Sequence, residues 1–382
     1  MTIPLDYPTL RVIWWALMGV LLIGFALTDG FDLGVASLLP FVARNDGERR
    51  MAINTISATW EGNQVWFILG GGAIFAAWPL VYAVSFSGFY FAMFAVLAAL
   101  ILRPVAFKYR SKRPSRAWRE SWDWALFVGG FAPALVFGVA VGNVLQGLPF
   151  AFDSDLRATY HGHFLGLFTP FTLLCGLLSV AMLVTHGAAW LTMKAERGVV
   201  RDRARLIGTA AALAAMALFA VGYAFVAFGH LGFKLEGLIA PGGPSNPLRA
   251  LAVAAPGGWL TNFHTYPWMW TAPALGFTGG ALALIGIRGG WEFPAFAGSS
   301  LSAIGIISTV GLSMFPFILP SRLDPGSSLT VWNASSSQST LFTMLVAALV
   351  FLPLILIYTS WAYKVMFGRS SVAALATDPD LY

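Results

Sequence analysis

Three carboxylates sit where the sequence is otherwise apolar enough to cross a bilayer. Asp29 and Asp32 lie in Thr28-Asp29-Gly30-Phe31-Asp32-Leu33-Gly34, and Glu61 lies in Trp60-Glu61-Gly62-Asn63-Gln64. A charged side chain at bilayer depth costs about 2.5–3.5 kcal/mol by insertion assays and more by other scales, so such a group is paired, wet or functional. Helix residues three and four apart share a face, which puts Thr28, Asp29 and Asp32 on one side of the first apolar run. The expectation is an acidic, hydrated pocket between the first two membrane helices. Arg103, ending the third apolar segment, is the natural counter-charge, with Trp60, Asn63 and Gln64 flanking Glu61. Such a set can bind and release protons; the competing reading is an ion cluster that fixes helix packing.

The elements that must position these acids are membrane helices. Of 382 residues, 58% are hydrophobic and 10% charged, against about 25% charged in a soluble domain. Mean hydropathy is +0.73. A spanning helix needs about 20 mainly apolar residues. Segments of that kind fall near 11–38, 55–77, 80–102, 122–144, 164–190, 206–229, 262–287, 293–317 and 339–366. The expected fold is all-α, a bundle of about nine transmembrane helices forming a single polytopic domain over 1–382, without a cleavable signal peptide. Pro40 is expected to stop the first run, and Gly70-Gly71-Gly72 to let the second pack closely. Asn246-Pro247 is expected to open a short helix through Leu248–Ala254. Trp14-Trp15, Trp122 with Trp124, and Trp268 with Trp270 crowd segment ends, as interfacial belts do.

Other chemistries find little support. The single cysteine, Cys175, excludes an intrachain disulfide or a cysteine metal site. His161, His163, His186, His230 and His264 are scattered, with no i, i+4 pair, so no metal site and no haem axial ligand is expected from this chain. Of these only His186 lies plainly in a membrane segment, where an interhelical hydrogen bond is the plainer role. No Gly-x-Ser-x-Gly elbow or phosphate loop is present. The net charge of +6 reflects topology rather than a nucleic-acid partner. Of 23 Lys and Arg, 18 fall in loops after odd-numbered segments or at the C-terminus; Arg11, Arg157, Lys234, Arg249 and Arg322 fall on the other side. Basic loops stay in the cytoplasm, so the N-terminus is expected outside and the C-terminus inside.

At these residues the sequence resembles subunit II of the cytochrome bd-type quinol oxidases. The likeness is carried by Trp14-Trp15, Gly19–Phe25, Asp29–Gly34, Arg49-Arg50 with Asn54, Trp60–Trp66, Phe86–Tyr90, Arg103-Pro104, Gly142-Asn143 and Gln146-Gly147. It continues through Met314–Phe317, Leu329–Ser336 and Met366–Gly368, so it runs in one order over nearly the whole chain. The resemblance implies a heterodimer with a homologous subunit I, which binds two b haems and one d haem, oxidises quinol and reduces dioxygen to water. It implies that subunit II ligates no haem, shares the partner's helical fold, and contributes acids (Asp29, Asp32 and Glu61) to a cytoplasmic proton route in the bacterial inner membrane. A structural quinone and small single-helix accessory subunits accompany some members. The position of Glu61 is Asp in some relatives, and that of Asn333 is often Asp; asparagine removes any ionisable role there. The alternative is a proton-coupled secondary transporter, for which inverted repeats with broken helices at the midplane would be the sign.

The topology is open to direct test. With Cys175 replaced, a cysteine placed at Arg113 should react only with reagents that reach the cytoplasm, and labelling from the periplasm would reverse the assignment.

Overall fold

In the computed structural model of the chain, residues 3–229, 231–237 and 239–371 are described. Helices α1 (Tyr7–Val42), α2 (Asp46–Asn54), α3 (Trp60–Ala77), α4 (Pro79–Gly88), α5 (Tyr90–Tyr109) and α6 (Arg116–Gln146) make up the first part. They are followed by α7 (Pro170–Lys194), α8 (Val199–Phe228), α9 (Thr261–Thr265), α10 (Thr271–Gly289), α11 (Glu292–Met314) and α12 (Gln338–Val365). Among the described residues, eight stretches are long and apolar enough to cross a membrane: α1, Tyr90–Lys112, α6, α7, α8, Pro267–Gly289, α11 and α12.

The second expected segment is helical too, as α3, but Glu61, Asn63 and Gln64 in its opening turns lower its apolarity. The third is displaced: residues 79–88 form the separate α4, and the span itself begins at Tyr90. Pro40 does not stop the first helix, which runs on to Val42. A proline so near the end of a helix forfeits one hydrogen bond without blocking the last residues.

Three two-stranded antiparallel hairpins occupy one end of the bundle. They pair β1 (Phe150–Phe152) with β2 (Ala158–Tyr160), β3 (Phe233–Leu235) with β4 (Ala252–Ala254), and β5 (Phe317–Leu319) with β6 (Leu329–Thr330). The helix expected over Leu248–Ala254 is therefore corrected. Asn246 caps only a 3-10 turn at Pro247–Arg249, and the residues after Leu251 pair as β4. The interfacial reading of the tryptophans also narrows, since six of the 15 are buried: Trp14, Trp60, Trp66, Trp78, Trp190 and Trp259. Buried indoles seek acceptors, and three tie elements together: Trp14 to Leu341 O, Trp190 to Thr55 O and Trp259 to Leu145 O.

Helix α1 is the axle of the packing. Every residue from Asp29 to Leu39 is buried, so here the helix is enclosed on all sides. Such enclosure needs close neighbours, and glycine allows it: a Cβ at Gly34 would overlap Leu183 O and Gly187 of α7. Phe31 stacks on Trp190 of α7, with centroids 3.9 Å apart. The glycine run in α3 is used differently from expectation. Gly70 nears Met18, whereas a Cβ at Gly71 or Gly72 would meet nothing within 4 Å.

Adding a methyl at the α1–α7 crossing should therefore destabilise the fold. Gly187→Ala is expected to cost about 1–3 kcal/mol by overpacking, seen as a lower thermal unfolding midpoint in detergent. Gly71→Ala should leave that midpoint unchanged.

Candidate functional site

Asp29 and Asp32 lie on the enclosed half of α1, both with 0% exposure. The helix ends at Val42, roughly 15 Å beyond Asp32 at 1.5 Å per residue. Neither carboxylate could stay in that interior without polar partners, and the two find different ones. Asp29 meets Arg103 of α5 in a two-pronged ion pair: Nη1 donates to Oδ2 at 3.0 Å and Nη2 to Oδ1 at 2.7 Å. Arg103 is itself 1% exposed. Its guanidinium lies 5.8 Å from the ring centroid of Trp60, which stacks on Phe107 of α5 at 5.1 Å.

Asp32 turns instead to α3. Asn63 Nδ2 donates to Asp32 Oδ2 at 2.7 Å, and Tyr363 of α12 donates its phenolic hydrogen to Asn63 Oδ1 at 2.6 Å. The other carboxyl oxygen, Asp32 Oδ1, is buried with no hydrogen-bond partner among the described residues. Thr28, expected on the same face, spends its hydroxyl on its own helix, donating to Gly24 O at 2.8 Å.

The structure thus brings together Asp29, Asp32, Arg103, Trp60 and Asn63. It does not bring Glu61 into the group. Glu61 opens α3 on an exposed face and has no hydrogen bond or ion pair among the described residues. The reason is helical geometry: Asn63, two residues on, points inward to Asp32, so Glu61 is turned away. Gln64 is half-buried and unpaired among the described residues. A three-acid pocket between two helices is therefore replaced by a buried pair that α3 and α5 contact directly and α12 reaches through Asn63, with the third acid outside.

Tyr363 was not foreseen. It stands in the last turn of the most exposed apolar helix, where a tyrosine reads as an interfacial anchor, and no local signal connects it to Asn63, 300 residues earlier. His186 fills the role expected for it. Its Nε2 donates to Leu27 O of α1 at 3.0 Å, since a carbonyl only accepts, and its Nδ1 meets Ser299 Oγ of α11 at 2.8 Å.

With both nitrogens engaged, His186 has none left for a haem iron. His161, His163 and His264 are exposed in loops or the short α9, and His230 lies outside the described residues. Among the described residues no group of three or more His, Cys, Asp or Glu is placed to hold a metal ion.

Asp123, at the edge of a segment in the sequence, is buried at the basic end and paired with Arg49 and Arg110. Arg110 and Arg119 also hold Asp46 of α2.

Known proteins are similar to this chain over most of its length. The family model described as cytochrome bd terminal oxidase subunit II matches residues 10–366. The cytochrome bd-I ubiquinol oxidase subunit 2 of Escherichia coli (strain K12) is 49% identical over 365 residues, covering 96% of each protein. The cytochrome bd ubiquinol oxidase subunit 2 of Bacillus subtilis (strain 168) is 32% identical over 371 residues, 95% of this chain and 97% of the relative. In fold, the chain is similar to one in the structure of bd oxidase from Geobacillus thermodenitrificans, with a TM-score of 0.69 at 17% identity over 94% of this chain and 99% of that one. Eight apolar helices and these relatives make it a multi-pass protein of the bacterial inner membrane. With likeness of sequence reaching from the start of α1 to the end of α12, the chain belongs to the cytochrome bd terminal oxidase subunit II family.

Proposed function

We propose that the chain braces a haem-bearing subunit I, which oxidises quinol and reduces dioxygen to water, and that it brings cytoplasmic protons to that partner through Asp32 and Glu61. Family membership makes it part of a quinol oxidase complex with a partner subunit I. In this reading the b and d haems belong to the partner and this chain ligates none. A structural quinone and small single-helix subunits are further components.

The observation that carries the proton role is Asp32. It is fully buried, and among the described residues its side chain has one hydrogen bond, to a neutral amide, while the other oxygen has no partner. A carboxylate that only fixes packing should look like Asp29, with both oxygens taken by a guanidinium. Asp29 is accordingly read as the counter-ion of Arg103 rather than the carrier. Reducing dioxygen consumes protons, and a haem surrounded by lipid needs a polar route to them.

Glu61 supports the same reading from the outside. It lies on a face of α3 that also exposes Val65 and Ile68. An acid among such neighbours is costly against acyl chains, so the face is assigned to the partner and Glu61 to the hand-over between subunits. The whole of 1–382 is read as one polytopic unit, with the basic end in the cytoplasm and the three hairpins outside. The many Arg and Lys at the basic end support that orientation.

Glu61→Gln keeps the shape of the side chain but not the proton, whereas Glu61→Asp keeps the acid and shortens it. Turnover of the assembled oxidase in excess quinol should fall about tenfold or more in Glu61→Gln and in Asp32→Asn, and far less in Glu61→Asp, at normal haem content. Full turnover in both amide variants would remove the proton role; loss of complex and haem together would favour the packing role.

The histidines give a separate check. Replacing each of the five by alanine should leave the haem absorption per assembled complex unchanged, even where His186→Ala lowers the yield. Loss of one haem's bands at normal subunit levels would place an axial ligand in this chain.

A further inference from the structure

Asp32 is reached by a hydrogen-bonded chain that crosses three helices, from Tyr363 Oη on α12 through the Asn63 amide on α3 to Asp32 Oδ2 on α1. The amide is committed at both ends. A phenol can donate or accept, whereas an ionised carboxylate only accepts. With its N–H directed at Oδ2, the amide suits an Asp32 that carries no hydrogen on that oxygen. A proton on Oδ2 would set two donors against each other in a dry interior, where each unmet polar group is penalised. Oδ1, in contrast, is buried with no partner among the described residues.

We propose that Asn63, braced by Tyr363, is a positioning residue that keeps Asp32 Oδ2 an acceptor and reserves Oδ1 as the oxygen that takes up and gives away the proton. This rests on the reading of Asp32 as a proton carrier. In the step itself a hydronium ion on the cytoplasmic side gives up a proton, its O–H bond breaking to leave water, and an O–H bond forms at Oδ1, so that the carboxylate becomes the neutral acid. Breaking that bond toward the next acceptor restores the carboxylate, and no electron moves.

Asn63 is suited to the task because an amide cannot itself be ionised and so never competes for the proton. Tyr363 supplies the bracing: its hydrogen occupies Asn63 Oδ1 and so opposes rotation of the amide that would present that oxygen to Asp32. Two ionisable groups near this stretch of α1 are engaged elsewhere. Arg103 is held by Asp29, and His186 contacts the far side of α1 at Leu27 O.

The test uses the assembled oxidase in its membrane, with Tyr363→Phe, Asn63→Leu, Asp32→Asn and the double variant Tyr363→Phe/Asp32→Asn. Tyr363→Phe removes one oxygen and keeps the ring, so it preserves the packing of α12. It should lower kcat about threefold to tenfold, less than loss of a proton-transfer group itself, with quinol KM and haem per complex unchanged. Asn63→Leu should lower kcat further with the same signature. Because both act through Asp32, Tyr363→Phe should add nothing in the Asp32→Asn background.

Wild-type kcat in Tyr363→Phe and Asn63→Leu, alongside a slow Asp32→Asn, would overturn the positioning role and leave the carrier standing. Additive losses in the double variant, or losses matched by missing haem, would overturn it as well. Wild-type turnover in Asp32→Asn would remove the carrier and this inference together.

Discussion

The ion pair between Arg103 and Asp29 is the constraint on which the interior depends. Two charges withdrawn from water lose several kcal/mol of hydration each, and only near-ideal geometry with every oxygen engaged offsets that loss. Here both carboxyl oxygens receive a guanidinium N–H, at 3.0 and 2.7 Å. Such a pair tolerates little displacement, since removing one partner of a buried pair costs about 3–5 kcal/mol. It therefore sets the rotation of α1 against α5. With 3.6 residues per turn, Asp32 then lies about 60° around the helix from Asp29, and Leu27 about 160° around it. Asp32 consequently faces α3 and its amide, and Leu27 O faces His186 on α7.

That rotation accounts for the uneven treatment of α1 along its length. The stretch Asp29–Leu39 is enclosed all round, which requires α6 and α7 to approach closely. Without a hydrophobic drive between helices in lipid, close backbone contact and interhelical hydrogen bonds must hold the bundle together. Gly34 and Gly187 supply the first, and His186, Trp190 and Asn63 supply the second. Asp29 and Asp32 thus sit in the fully enclosed stretch of α1, where close packing holds a buried charge in one geometry.

The two ends of the bundle are secured differently. At the basic end, carboxylates and guanidinia pair across loops: Asp123 with Arg49 and Arg110, Asp46 with Arg110 and Arg119, and Glu48 with Arg203. At the hairpin end the anchor is Arg11, fully buried yet without an ion pair among the described residues. Neutral acceptors surround it: Ser335 Oγ at 2.6 Å, Ser245 Oγ at 2.9 Å and Pro241 O, with the Tyr7 ring 3.6 Å away. These contacts draw the start of α1, the loop after α8 and the loop before α12 into one knot. Asn333 works nearby, accepting from Thr330 N and Oγ1 and donating to Ser328 O within its own loop and, at 3.5 Å, to Pro247 O in the loop after α8.

The sequence by itself determined the solvent, and much follows from that. Apolar runs of spanning length can only be helices in lipid, because backbone groups there must be satisfied within the segment; hence the bundle was legible. The acids stood out for the same reason, being costly residues in apolar surroundings, and Arg103 was identifiable as their counter-charge. Only the tertiary structure decided how the three acids divide: Asp29 to the guanidinium, Asp32 to an amide, Glu61 to the outer face. Spacing along one helix tells which residues share a face, but not which neighbour that face meets. Tyr363 shows the limit most plainly, since its link to Asn63 joins residues 300 positions apart and leaves no trace in either local sequence. The hairpins were missed for a related cause. Strands of two or three residues are too short to show alternation, and they exist because the loops they close are pinned together at the end of the bundle.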